Sequence, residues 1–152
     1  MTVTPGEQAA DIQASCPLQV LDPKGVPSNL ILRTTDDFQL AIEFEFISQN
    51  TQDLAGTLTF EIKYFAESIG QGPEYNLVPP VTKKTVDNVY KYNATAPPGA
   101  ETALLVKAGT MAPGVYRVAA MVSFKLDCPP GQPRPFRMTT YCEGPAIEVY
   151  KP

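Results

Sequence analysis

The stretch Met111-Ala112-Pro113-Gly114-Val115-Tyr116-Arg117-Val118-Ala119-Ala120-Met121-Val122-Ser123-Phe124-Lys125-Leu126 decides the fold class. A Pro-Gly turn leads into a segment where Tyr116, Val118, Ala120, Val122, Phe124 and Leu126 fall on one parity. Arg117, Ser123 and Lys125 fall on the other. Successive side chains of a strand point to opposite sides, so a period of two marks a strand with one buried face.

The same period recurs upstream. Phe38, Leu40, Ile42, Phe44 and Phe46 alternate with Gln39, Ala41, Glu43 and Glu45, and Leu58, Phe60, Ile62 and Tyr64 alternate with Thr57, Thr59, Glu61 and Lys63. Each reads as a half-buried antiparallel strand. Weaker apolar runs stand at 18–21, 30–32, 75–81, 86–92, 102–107, 136–142 and 147–150, with Pro79-Pro80 ending the run at 75–81 and Gly144-Pro145 reading as a bulge or kink. Sixteen prolines fall mostly between these runs, as in Pro97-Pro98-Gly99 and Pro129-Pro130-Gly131, which punctuates short strands and disfavours long helices. The expected fold is all-β, a single antiparallel β-sandwich of about seven to nine strands.

At 152 residues the chain suits one domain, and roughly 70% of its unfolded surface can be buried at that size. Residues 1–15 are small and polar and read as an extended N-terminal arm, with residues 16–152 forming the sandwich. Met1 to Ala10 has neither a basic nor an apolar leader region, so no secretory signal is expected and the cytoplasm is the expected compartment. No apolar run approaches a membrane span. A net charge of −4, with Lys83-Lys84 as an adjacent basic pair, argues against a nucleic-acid surface. Cys16, Cys128 and Cys142 make an odd count, which together with the missing leader favours free thiols. A Cys128–Cys142 bridge is the alternative, because both residues flank one connection.

Little in the sequence points to chemistry. Histidine is absent, which removes the commonest general base and metal ligand. Gly70-Gln71-Gly72 lacks the helix and third glycine of a phosphate loop. Glu43 and Glu45 share the solvent parity of their strand, three cysteines without close spacing do not make a zinc site, and Asp36-Asp37 with Asp53 is too sparse for calcium. The expectation is no enzyme, no cofactor and no metal. Tyr75, Tyr90 and Tyr92 are the candidate interaction residues, since exposed tyrosines stack on sugars or anchor protein contacts.

Ala112-Pro113-Gly114-Val115-Tyr116-Arg117-Val118 resembles the corner before the F strand of immunoglobulin-like and fibronectin-III-like domains. The resemblance implies that Tyr116 and Gly114 form a structural corner. It departs from antibody domains at Val118, where those carry a cysteine, and in having no tryptophan.

Such sandwiches hold shape with an inert core and present loops, edges and arms to partners. The expected function is a non-enzymatic structural or protein-interaction module. It would serve as a subunit or accessory protein of a larger assembly, phage-like or homo-oligomeric, with other protein subunits or itself as partner. Contacts would come from the arm and from edge strands adding to a neighbour's sheet. The alternative is a small-ligand or glycan-binding module using the Ile69–Pro80 and Asp127–Pro135 loops with Tyr75.

Overall fold

The structure, a computed structural model, describes residues 12–14, 18–127 and 134–152. Its strands are β1 (Ile12–Ala14), β2 (Gln19–Leu21), β3 (Ile31–Arg33), β4 (Phe38–Ala41), β5 (Phe44–Phe46), β6 (Leu58–Ser68), β7 (Tyr75–Lys84), β8 (Lys91–Tyr92), β9 (Leu104–Val106), β10 (Gly114–Leu126) and β11 (Arg134–Tyr150). One helical turn, α1 (Gln49–Gln52), is capped by Ser48, whose hydroxyl accepts from the Thr51 amide.

The long strands carry one layer, a five-stranded sheet in the order β3-β11-β10-β6-β7. Two three-stranded sheets, β2-β4-β9 and β1-β5-β8, make the other. All pairings are antiparallel except β3 on β11. The excess over the expected strand number comes from short pieces. The run Phe38–Phe46 divides at Ile42 and Glu43, because the Thr102 hydroxyl donates to the Ile42 carbonyl at 2.6 Å where the strand breaks.

Aromatic side chains knit the layers. Phe44 stacks on Tyr92 at 4.9 Å between centroids and meets Phe60 and Phe124 of the opposite sheet edge-on at 5.1 and 5.5 Å. These offset and edge contacts suit the ring quadrupoles and place the core between the two layers.

Two irregularities decide what faces outward. β7 runs through Pro79-Pro80 instead of ending there: as an edge strand it tolerates proline, and its register on β6 shifts between Ile62 and Tyr64. On β11, Gly144 and Pro145 fall in a register shift opposite Arg117–Ala119. A Cβ on Gly144 would lie 2.7 Å from Val118 Cγ2 and 2.9 Å from the Val118 carbonyl oxygen, so the backbones approach there only with glycine. The extra residue inverts parity along β11. Tyr141 is exposed, whereas Ile147 and Val149, also odd-numbered, are buried.

Candidate functional site

Tyr116 closes the turn before its own strand. Its hydroxyl donates to the Ala112 carbonyl at 2.6 Å, and a Cβ on Gly114 would sit 3.3 Å from its ring. Tyr75 holds the same turn by accepting from the Ala112 amide at 3.0 Å, with its ring 5.8 Å from that of Tyr116. Burial, then Tyr75, pushes the Tyr116 phenol up.

Tyr90 is half-buried, and its carbonyl accepts from the Phe46 amide. Tyr92 corrects the expectation of a surface residue: it is fully buried, because β8 pairs it with Phe44. Its hydroxyl accepts from the Val86 amide and donates to the Val89 carbonyl, both at 2.9 Å, which fixes the 86–89 turn. Cys142 is buried on β11, while Cys16 and Cys128 lie outside the described residues, as does the proposed Cys128–Cys142 bridge. Within the expected arm, Ile12–Ala14 pairs with β5; residues 1–11 and 15 lie outside the description, as do residues 128–133 of the Asp127–Pro135 loop.

The outer face of the five-stranded sheet is a surface that folding does not explain. Phe65 stands opposite Ala119, and Met121 stands between Lys63 and Tyr141. Val78 on β7 is 72% exposed and Tyr141 is 52% exposed. Phe65, Met121, Val78 and Pro80 share a hollow of about 430 Å³. Charged residues of both signs surround this band. On one side stand Glu67 opposite Arg117, Glu143 opposite Ala119, and Glu148 opposite Val115. Lys63 stands level with Met121, 3.6 Å from Glu61, and the exposed Lys125 lies toward the other end. Burial and the carboxylates of Glu67 and Glu143 raise the Tyr141 phenol above its ordinary range, and Arg117 opposes them.

A second feature lies at the opposite edge of that sheet. A polar cleft of about 750 Å³ is lined by Ser28 and Asn29 of the β2–β3 connection, by Arg33, Thr35 and Asp36, and by Tyr150. Arg33 Nε donates to the Tyr150 hydroxyl at 3.1 Å. Sequence reasoning missed this cleft, having weighed Asp36 only as a cation ligand. The signal was faint, because Arg33 and Tyr150 meet through the pairing of β3 with the end of β11.

Glu43, weighed as a catalytic carboxylate, forms a 2.8 Å ion pair with Lys91. Among the described residues no three His, Cys, Asp or Glu side chains gather as metal ligands, and no helix is long and apolar enough to cross a membrane.

The architecture has a solved counterpart. The C-terminal domain of wzt is similar over 91% of this chain and 74% of its own, with a TM-score of 0.52 and 10% identity. The fold is an immunoglobulin-like β-sandwich. The ASH / PapD-like domain of human CEP192 (PapD-like domain 7) aligns over 99% of this chain and 92% of its own, with a TM-score of 0.43 and 6% identity. No protein-family model matches the sequence, and no curated protein matches it. At such identities the likeness speaks for the sandwich alone.

Proposed function

We propose that this chain is a non-enzymatic protein-interaction module, a cytoplasmic subunit or accessory protein of a larger assembly, that docks through the outer face of its five-stranded sheet. One observation carries the reading: Val78, Phe65, Met121 and Tyr141 form an apolar band on a face that the core does not use. An apolar patch rimmed by charge is the usual anatomy of a docking surface. Strand addition is the less favoured mode. β7 carries two prolines, and β1, β2, β3, β8 and β9 offer only two or three residues each, which blunts these strands as pairing templates.

Immobilised wild-type chain and a Met121→Lys variant, exposed to an extract of the source organism, test the proposal. A protein retained by the wild type and lost with the variant, at unchanged thermal midpoint, supports it. Identical retention by both removes it.

The polar cleft favours a second reading, a small-ligand or glycan-binding module. Arg33, Asp36, Asn29 and Tyr150 there combine donors, acceptors and a ring, which suits a polyhydroxylated ligand. A glycan array that yields no ligand, or one whose binding survives Arg33→Ala, excludes this reading.

A further inference from the structure

We infer that the polar cleft selects its ligand by charge, favouring a pyranose that carries an ammonium group, an amino sugar, over a neutral one and disfavouring a uronic acid. The inference rests on the reading of the cleft as a small-ligand site and names the chemical class of its ligand. The charged side chains lining the cleft carry it: Asp22, Asp36 and Asp37 stand against Arg33 alone. Two of these carboxylates already have partners. Asp22 accepts from the Lys24 and Val26 amides at 2.8 and 3.0 Å. Asp37 accepts from the Ala108 amide at 2.8 Å, with the Lys107 ammonium at 3.9 Å. Even with Lys107 set against Asp37, carboxylate exceeds guanidinium in the cleft. A ligand carboxylate therefore meets repulsion there and an ammonium meets attraction.

Asp36 is the open acceptor. Its amide donates to the Arg33 carbonyl at 3.1 Å and closes the turn between them, yet among the described residues no hydrogen bond or ion pair engages its carboxylate. Arg33 is the open donor. Its Nε is taken by the Tyr150 hydroxyl, which leaves the Nη groups and the Tyr150 hydroxyl proton without an acceptor among the described residues. Ile31, two positions before Arg33 on β3 and 60% exposed, adds an apolar contact. An amino sugar offers the matching set: a C–H face for Ile31, ring hydroxyls that accept from Arg33 and Tyr150, and an ammonium for Asp36. The frame is tied down on two sides. The Thr34 amide donates to the Tyr150 carbonyl at 2.9 Å, and the Gly109 amide donates to the Thr34 carbonyl at 2.8 Å. Groups held in place before binding lose little freedom when a ligand arrives.

Titration of the isotope-labelled full chain with glucosamine, glucose and glucuronate, read by the amide shifts of residues 28–37 and 150, tests the inference. Glucosamine and glucuronate each differ from glucose at one substituent. Sugar from about 0.1 to about 50 mM covers the range in which a millimolar site fills. At about pH 6 the amine is protonated and the carboxylates are ionised. Glucosamine is expected to bind roughly fivefold more tightly than glucose and glucuronate roughly fivefold more weakly, the effect of one charge contact in water. High salt should shrink both differences. Asp36→Asn should bring glucosamine to within about twofold of glucose, whereas Arg33→Ala should weaken glucose itself. Equal affinities, a preference for glucuronate, or a glucosamine preference that survives Asp36→Asn would each overturn the charge selection and leave the cleft as a ligand site. If none of the three sugars moves these amides, the reading of the cleft falls together with the inference.

Discussion

The two faces of the five-stranded sheet carry similar side chains and meet different fates. On the inner face Tyr116, Val118, Val122 and Phe124 are all but inaccessible, closed over by Phe44, Phe46 and Tyr92 of the second layer. On the outer face Val78 and Tyr141 stand more than half exposed beside Phe65 and Met121. The outside of the opposite layer is more polar, although Leu105 is exposed there opposite Gln39. There Glu43 pairs with Lys91, and Gln39 donates to the Pro23 carbonyl at 2.9 Å. Hydrophobic burial explains the inner face and leaves Val78 and Tyr141 of the outer band unexplained, which is what supports the proposal of a docking surface there.

The largest expected effect falls on the inner face. Phe124→Ala removes a ring 5.5 Å from Phe44 and 5.8 Å from Phe46 at a site with no room to collapse, so it should cost about 3–5 kcal/mol. Urea unfolding measures this, and a loss below about 1 kcal/mol would contradict a close-packed core there.

Alkaline pH probes the same face. Burial holds the phenols of Tyr64, Tyr92 and Tyr116 above their ordinary value. The unfolded chain ionises near a phenol pKa of about 10 while the folded chain keeps its protons. This contribution is therefore fully present below that pH and is lost as pH rises beyond it. The urea midpoint should fall above the ordinary phenol range, and Tyr64→Phe should flatten the fall. An unchanged slope in that variant would discount the burial of Tyr64.

The bulge separating the two faces of β11 comes next. Gly144→Ala sets a methyl group against Val118 Cγ2 and the Val118 carbonyl, so the backbone must move, at a cost of about 1–3 kcal/mol. A neutral result would mean that the strand takes up an ordinary register without harm.

How much of this was legible in the sequence follows the same division. The inner parity of β6 and β10 is plain because the strands are long and regular: Phe60, Ile62, Tyr64, Val118, Val122 and Phe124 all stand where simple alternation puts them. Tyr141 is hidden because Gly144 and Pro145 invert the alternation, so its odd number gives no clue that Ile147 lies on the other side. Tyr92 escaped because a two-residue strand has too little pattern to show parity. The break at Ile42 depends on Thr102, sixty residues away, and no local rule reports that contact. Whatever rests on short-range periodicity was readable; whatever rests on a bulge or a distant hydroxyl was not.

The smallest stability effect is the most telling for the comparison. Tyr141→Ser trims an exposed ring and should change stability by no more than about 0.5 kcal/mol, the usual range for a surface position. A surface tyrosine with no task would leave every other property unchanged as well. If the outer band is an interface, the same substitution should weaken association by roughly tenfold, because aromatic anchors carry a disproportionate share of binding energy. Measured together, urea midpoint and association constant separate the faces: Phe124→Ala moves the first, Tyr141→Ser the second. A variant at 141 that lowers stability as much as one at 124 would place Tyr141 in a packed core and dissolve the distinction between the two sides of the sheet.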